Sequence, residues 1–362
     1  MSTIDKELSD KEIEFYSRQI VLKDIGYTGQ LKLKNAKVCV VGLGGLGCPI
    51  ATQLTAMGVG YLRLIDRDVI ELSNLQRQHL YGPKFIGYPK VEVAAKRLEE
   101  LNPYIDIEPL PISLNERNAE KFLRGMDVVI DGLDRMDVRY AVNRACIKLK
   151  IPYIFGAAIT TFGSTSTIIP NKTPCLECFY GSIDDEKLPK CSTVGVHPSV
   201  ISTIASIEVA EAIRIILGQK PRLMNKLFYC DIESLAFDEL NISRIESCPV
   251  CGRKTKGTLF PIKHELIEEI CGRGGKRSFM IVPKENLDLP LERLIRFLAD
   301  NELKIKIKAK LGITFKFDDR ITASLLKSGV AIIEGVDNKN KALDLYEKVV
   351  INGLGTQQSQ IR

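Results

Sequence analysis

The chain has 362 residues, 45% of them hydrophobic and 27% charged, with a formal charge of +6. That balance suits a folded globular protein with one large domain and a smaller one, and a core of this size needs no disulfide staples. No apolar run approaches the ~20 residues of a membrane span, and Met1 to Asp5 lack the basic and apolar stretches of a signal peptide, so a cytoplasmic protein is expected.

Residues 10–20 read as an amphipathic helix capped by Asp10, with Ile13, Phe15 or Tyr16, and Ile20 as its apolar members. Gly26 to Gly29 reads as a glycine-punctuated link. Lys37 to Val41 is a buried-type strand running into Gly42-Leu43-Gly44-Gly45-Leu46-Gly47 and an apolar helix to about Met57. A second strand, Tyr61 to Ile65, completes a βαβ unit that opens a doubly wound, Rossmann-like α/β sheet. The alternation continues with helix 90–101, strand 105–109, helix 118–124, strand 126–130, helix 134–149 and strands 153–157 and 163–169. Residues 174–197 read as a loop holding a Cys-x-x-Cys pair and the acidic run Asp184, Asp185, Glu186. A long helix, 199–217, and strands 227–230 and 237–242 follow.

Cys248 to Cys251 closes this first domain, 1–252, and Arg253 to Gly257 reads as a linker. Residues 253–362 read as a small C-terminal α+β domain: strand 279–282, helix 291–298, strands from 305 to 317 and at 330–334, and helix 341–350, with a frayed polar end from Thr356. This part carries 21 Lys+Arg against 14 Asp+Glu, while the first 252 residues are close to neutral. A basic tail suits an acidic protein partner or nucleic acid, and it holds no nucleic-acid motif.

The glycine loop, Gly42, Gly44, Gly45 and Gly47, lies between a strand and a helix, where phosphates meet bare N–H groups and a helix N-terminus. Asp66 ends the next strand, at the place of a ribose acceptor. Alone, this spacing points to NAD. The residues that follow do not suit hydride transfer, in which the phosphates are not the reacting group. Ser73-Asn74-Leu75-Gln76-Arg77-Gln78, Lys90 and Asp131-Gly132-Leu133-Asp134 supply two cations, an amide and a carboxylate able to hold Mg²⁺, a set for phosphoryl or nucleotidyl transfer.

Cys175, Cys178, Cys248 and Cys251 have the paired knuckle spacing of a tetrahedral Cys₄ zinc site, favoured here over redox Cys-x-x-Cys pairs. Four thiolates leave no open position, so the zinc is expected to be structural. Cys191 stands apart, after the acidic run and beside Lys190, a neighbour that favours the thiolate; it reads as a nucleophile or an incidental loop cysteine. Cys39, Cys48, Cys146 and Cys230 read as packing residues and Cys271 as an ordinary one. His79, His197 and His264 carry no ligand pattern.

Tyr16-Ser17-Arg18-Gln19-Ile20, Gly42 to Gly47, Asp66-Arg67-Asp68, Ser73 to Gln78, Tyr88-Pro89-Lys90-Val91, Asp131 to Asp134 and the two Cys-x-x-Cys pairs stand in the order of a known family. From about Tyr16 to Gly252 the chain resembles the MoeB/ThiF/HesA adenylyltransferases, relatives of the ubiquitin-activating enzymes. The resemblance implies ATP-dependent adenylation of the C-terminal glycine of a ubiquitin-like or sulfur-carrier protein ending in Gly-Gly. It implies a homodimer in which Arg18 reaches the triphosphate of the neighbouring subunit. Asp66 would bind ribose, Asn74, Arg77 and Lys90 the phosphates, and Asp134 Mg²⁺. In part of the family a cysteine placed like Cys191 forms a thioester or persulfide with the carrier. Arg135 departs from the Asn common at that position. The C-terminal domain carries no sulfurtransferase signature and sits where the related activating enzymes recruit a conjugating partner. A nicotinamide-dependent oxidoreductase rests on the glycine loop alone, and a catalytically idle scaffold conflicts with the intact motif set.

Overall fold

Two short helices open the chain, α1 (Asp10–Phe15) and α2 (Ser17–Ile20). The cap of α1 is Ser9, in a reciprocal capping box with Glu12, and not Asp10. The expected single helix over 10–20 breaks at Tyr16, whose ring is buried against Gly58 and whose hydroxyl accepts from Asn102 Nδ2 at 2.8 Å. A computed structural model describes residues 7–185, 188, 191–254, 258–262, 264–273 and 276–362, with the backbone alone for 191–192 and 271–273.

The expected link at 26–29 is helical: α3 spans Gly26–Asn35. Gly29 serves close packing there, because a Cβ would lie 2.9 Å from Leu217 Cδ2. Next come β1 (Lys37–Val41), α4 (Gly47–Ala56), β2 (Tyr61–Ile65), α5 (Lys90–Leu101), β3 (Asp106–Leu110), α6 (Ala119–Leu123), β4 (Val128–Asp131), α7 (Met136–Leu149), β5 (Tyr153–Ile159) and β6 (Phe162–Ile168). The stretch read as a loop holds two short helices, α8 (Leu176–Tyr180) and α9 (Cys191–Val194). Then follow α10 (Pro198–Leu217), β7 (Lys226–Asp231) and β8 (Ala236–Asn241).

These strands form one sheet in the order β3-β2-β1-β4-β5-β6-β7-β8. The first five run parallel, and β6 to β8 continue antiparallel. Both faces are covered, as a parallel sheet requires. Val38 and Val40 of β1 pack with Leu33, Leu54, Val91 and Ile201, from α3, α4, α5 and α10. Cys39 and Val41 point the other way, toward Leu123, Tyr140 and Val142 of α6 and α7. The strand order reverses at β1, so the crevice between the ends of β1, β2 and β4 is the topological switch point.

The C-terminal part builds a second, antiparallel sheet, with β9 (Ile267–Arg273), β10 (Lys276–Ile281), β11 (Lys304–Lys308), β12 (Gly312–Lys316), β13 (Thr322–Leu326) and β14 (Ala331–Glu334) in the order β11-β12-β13-β14-β10-β9. Strands β9 and β13 lie where none was expected. The pattern of β9 is interrupted by Glu268 and Glu269, and β13 is only five residues long; each is fixed by antiparallel pairing with its chain neighbours, β10 for β9 and β12 and β14 for β13. Its helices are α11 (Leu291–Asp300), α12 (Lys339–Glu347), extended by a π turn over Lys348–Gly353, and α13 (Gln358–Ile361). The chain end is not frayed: Ile361 is buried, its carbonyl accepts from Lys284 N at 3.1 Å, and Arg362 pairs with Glu347.

One face of this sheet packs Phe279, Phe315 and Ile333 against Leu294, Leu298 and Tyr346. The other face sets Met280, Val282, Leu326 and Ile332 on Val69, beside the first sheet. Polar ties reinforce that contact. The Glu92 carboxylate accepts from the N–H groups of Lys310 and Leu311 at 3.0 and 2.7 Å, and Thr314 Oγ1 donates to Gly87 O at 2.8 Å. Among the described residues no helix is long and apolar enough to cross a membrane.

Candidate functional site

The glycine loop leaves β1 at the switch point. Gly42 has φ +89°, and a Cβ there would lie 2.6 Å from Gly132 O; one on Gly47 would lie 1.8 Å from Gly42 O. The loop and the Asp131–Asp134 turn thus touch backbone to backbone, which only glycine permits. Gly44 differs, since a Cβ would find nothing closer than 3.8 Å. Its bare backbone is not demanded by packing, and at a strand-to-helix loop it leaves N–H groups that a phosphate can approach. Beside it, Gln78 is buried with Oε1 lacking a partner. The side chain of Arg77 lies across Gly45, its Cδ 3.6 Å from a Cβ there, and its Nη1 donates to Ser73 O.

Asp66, at the end of β2, is locked by two backbone donors: Leu43 N to Oδ2 and Asp68 N to Oδ1, both 2.7 Å. Burial raises its carboxyl above the usual range, against the pull of Lys90. Lys90, at the first position of α5, is 5% exposed, and its ammonium donates to Asp68 Oδ2 at 2.9 Å. Burial alone would lower its pKa, but Asp68 and Asp66 hold it above the ordinary lysine value. Asn74 is buried, and its Oδ1 accepts from Glu71 N, so it shapes the turn before Arg77.

The turn after β4 is fixed from below. Asp131 is fully buried, and its Oδ2 accepts from Arg139 Nε at 3.0 Å and from the Tyr153 hydroxyl at 2.6 Å. Arg139 also donates to the carbonyls of Leu133 and Gly156. Asp134, three residues on, is exposed and has no hydrogen bond or ion pair among the described residues. An unpaired carboxylate at the rim of the crevice is the donor Mg²⁺ prefers.

Arg135 forms a two-pronged pair with Asp137 and a second pair with Glu268 of β9, which also receives Arg67 Nη2 at 3.2 Å. Asp185 receives the N–H groups of Met136 and Asp137 at 2.8 and 2.9 Å, capping α7. Glu268 was not singled out from the sequence, and Arg67 and Asp185 were named there only within the Asp66-Arg67-Asp68 motif and the acidic run, with no role of their own. A carboxylate shortly after a Cys-x-x-Cys pair has no signature, and Glu268 reaches the crevice only through packing of the two sheets.

Arg18 is exposed on α2 with no hydrogen bond or ion pair among the described residues, and its own fold does not bring it to the crevice through any contact. The backbone of Cys191 starts α9; its side chain, and Lys190 with it, lie outside the described residues. Burial pushes the thiols of Cys39 and Cys48 up to about 12, in keeping with packing roles. His79 and His197 are exposed, and His197 caps α10.

Away from the crevice, Cys175, Cys178, Cys248 and Cys251 bring their sulfur atoms within 4.8 Å of one another. Individual Sγ–Sγ separations are 3.4, 3.7 and 4.0 Å. Tetrahedral zinc with bonds of about 2.3 Å sets its sulfurs about 3.8 Å apart, so this donor set fits the ion. The cluster pins α8 to the segment after β8.

Residues 16–250 match the model of the ThiF family. The chain is similar to a sulfur carrier protein adenylyltransferase of Thermus thermophilus, 36% identical over 72% of this chain and 97% of the relative. It is 39% identical to the adenylyltransferase and sulfurtransferase MOCS3 of Drosophila ananassae, over 74% of this chain and 58% of that longer protein. Among solved structures, E. coli MccB crystallised with AMPCPP and MccA superposes with a TM-score of 0.59 at 26% identity, over 67% of this chain and 74% of that one.

Proposed function

This chain belongs to the ThiF family, and we propose that it uses ATP to adenylate the C-terminal glycine of a ubiquitin-like or sulfur-carrier protein ending in Gly-Gly. The observation that carries this reading is the crevice at the ends of β1, β2 and β4. It joins a bare glycine loop to a buried lysine, an arginine and an unpaired carboxylate. Residues 1–252 form the ATP-binding adenylation domain, and residues 253–362 a smaller domain suited to recruiting a partner. The setting is the cytoplasm.

The terminal carboxylate attacks the α-phosphorus of ATP, a new P–O bond forms, and the bond to pyrophosphate breaks. A carboxylate is ionised at pH 7, so no strong base is needed. Position and charge neutralisation do the work. Gly42, Gly44, Gly45 and Gly47 receive the phosphates, Asp66 the ribose, and Asn74, Arg77 and Lys90 the charge on the transferring group. Asp134 would hold Mg²⁺, which would supply positive charge to the leaving pyrophosphate. The Cys₄ cluster would hold Zn²⁺ as a structural pin.

The functional unit is a homodimer in which the partner subunit's Arg18 completes each site. Arg18→Ala and Asp134→Ala variants, each inactive alone, should regain up to about a quarter of wild-type carrier-dependent pyrophosphate exchange when subunits mix, because one of the two sites in a mixed dimer is whole. Full activity in a purified monomer contradicts the shared site.

Cys191 then attacks the carbonyl carbon of the adenylate. A C–S bond forms, the C–O bond to AMP breaks, AMP leaves, and the thiol proton goes to solvent. Cys191→Ala should keep pyrophosphate exchange within about threefold, since adenylation precedes the thiol step. It should lose the thiol-sensitive carrier adduct on a non-reducing gel. An alanine variant that still forms this adduct removes Cys191 from the pathway.

A further inference from the structure

We infer that Glu268, on the C-terminal sheet, is a positioning residue for the nucleotide crevice, so that docking of the second sheet sets the affinity of the first for ATP. The inference rests on the adenylation reading for what occupies the crevice. Glu268 lies beyond the 16–250 stretch matched by the family, yet its Oε2 joins two arginines that each stand next to a crevice carboxylate. Arg67 follows Asp66, and Arg135 follows Asp134.

Each arginine has further anchors. Arg67 Nη1 donates to Ser113 Oγ at 3.3 Å, and Arg135 is held from its other edge by Asp137. Asp137 N in turn donates to Asp185. Without Glu268 two guanidinium groups would face each other with one carboxylate fewer between them. The 66–68 turn is the one whose carboxylates hold Leu43 N of the glycine loop and Lys90 Nζ at the start of α5. A shift of Arg67 is thereby passed to the phosphate-binding backbone, and a shift of Arg135 to the turn presenting Asp134.

The geometry around Glu268 supports a fixed position. Its side chain is 18% exposed, and β9 holds its backbone opposite Met280 of β10, which packs through Val69 on the first sheet. Burial would raise its carboxyl, but Arg67 and Arg135 hold it below the usual range, so it stays charged. Glu268 and Arg67 border a cavity of about 220 Å³ that also exposes Asn115, Asp137 and His264. Segments that follow β2, β3 and β4 line it together with Glu268 and Val282, so the C-terminal part closes one side of this cavity.

The test is calorimetric titration of MgATP into full-length protein without carrier. Glu268→Gln, which keeps shape and loses charge, should weaken ATP binding by about 10-fold. Arg135→Gln should give part of this loss, and the double variant should be no weaker than Glu268→Gln alone, in which the Arg135–Glu268 link is already broken. Glu268→Asp should recover part of the loss. The Tm without nucleotide should fall for Glu268→Gln, since two guanidinium groups lose their shared carboxylate, and the ATP loss should persist at a temperature where both proteins are folded. Equal ATP affinity in wild type and Glu268→Gln, or a loss seen only in Tm, overturns the inference. A wild-type protein that binds no ATP removes the adenylation reading beneath it, a distinct result. If Glu268→Gln fails to fold, Arg135→Gln decides: unchanged ATP affinity there overturns the inference as well.

Discussion

Lys90→Ala and Arg77→Ala are each expected to lower carrier-dependent pyrophosphate exchange by about 10²–10³-fold, the loss typical of removing one preorganised charge from a transition state. Asp134→Ala should bring exchange to background. The three residues differ in setting, and the difference shapes the controls. Lys90 is buried against Asp68 and Asp66, so its loss strands two carboxylates and destabilises the fold as well. Arg77 is half-buried and, among the described residues, its side chain donates to a backbone carbonyl alone, so its variant should melt near the wild-type temperature while losing activity. Asp134 is exposed and unpaired among the described residues, so its removal should cost little stability. An Arg77→Ala enzyme with exchange within a fewfold of wild type would take this residue out of the chemistry.

Loss of the Cys₄ cluster is the second large effect. Cys178→Ser or Cys251→Ser should release zinc and cost more than about 4 kcal/mol, in the range seen when a protein loses a structural metal. In a domain of this size that lowers Tm by roughly 8 °C or more. The cause is mechanical: the four sulfurs tie α8, on the face of the first sheet, to the segment beyond β8. Metal analysis of wild type should find one zinc per chain, and chelation should reproduce the mutant melting curve. A metal-free protein with an unchanged Tm refutes the structural pin. Pyrophosphate exchange is measured at a temperature where both forms are folded, so that the crevice is judged separately from the cluster.

Much of the crevice was legible in the sequence because its signals are local. The strand Lys37–Val41, the glycine spacing after it and Asp66 beyond the next strand lie within 30 residues, and the chemistry of phosphates demands them together. The zinc ligands were legible because each pair is a short knuckle, although the pairs are 73 residues apart. Gly26 to Gly29 misled, because glycine reads as a breaker, whereas here Gly29 lets α3 approach α10. The end of the chain misled in another way: its polar residues say nothing of Ile361, which is buried in the second core with its carbonyl accepting from Lys284 N. Glu268 was not legible at all. Its partner Arg135 is 133 residues away, and strand β9 exists only through pairing with β10. The tasks of Arg67, Arg135 and Asp185 likewise belong to tertiary contact and leave no mark on spacing.

The central claim is that a carboxylate oxygen of the carrier attacks the α-phosphorus of ATP. It is tested most directly by labelling the carrier's terminal carboxylate with oxygen-18, running the reaction to AMP release, and weighing the products by mass spectrometry. The account predicts one labelled oxygen in AMP and none in pyrophosphate. Label in inorganic phosphate or pyrophosphate, or AMP without label, would contradict it.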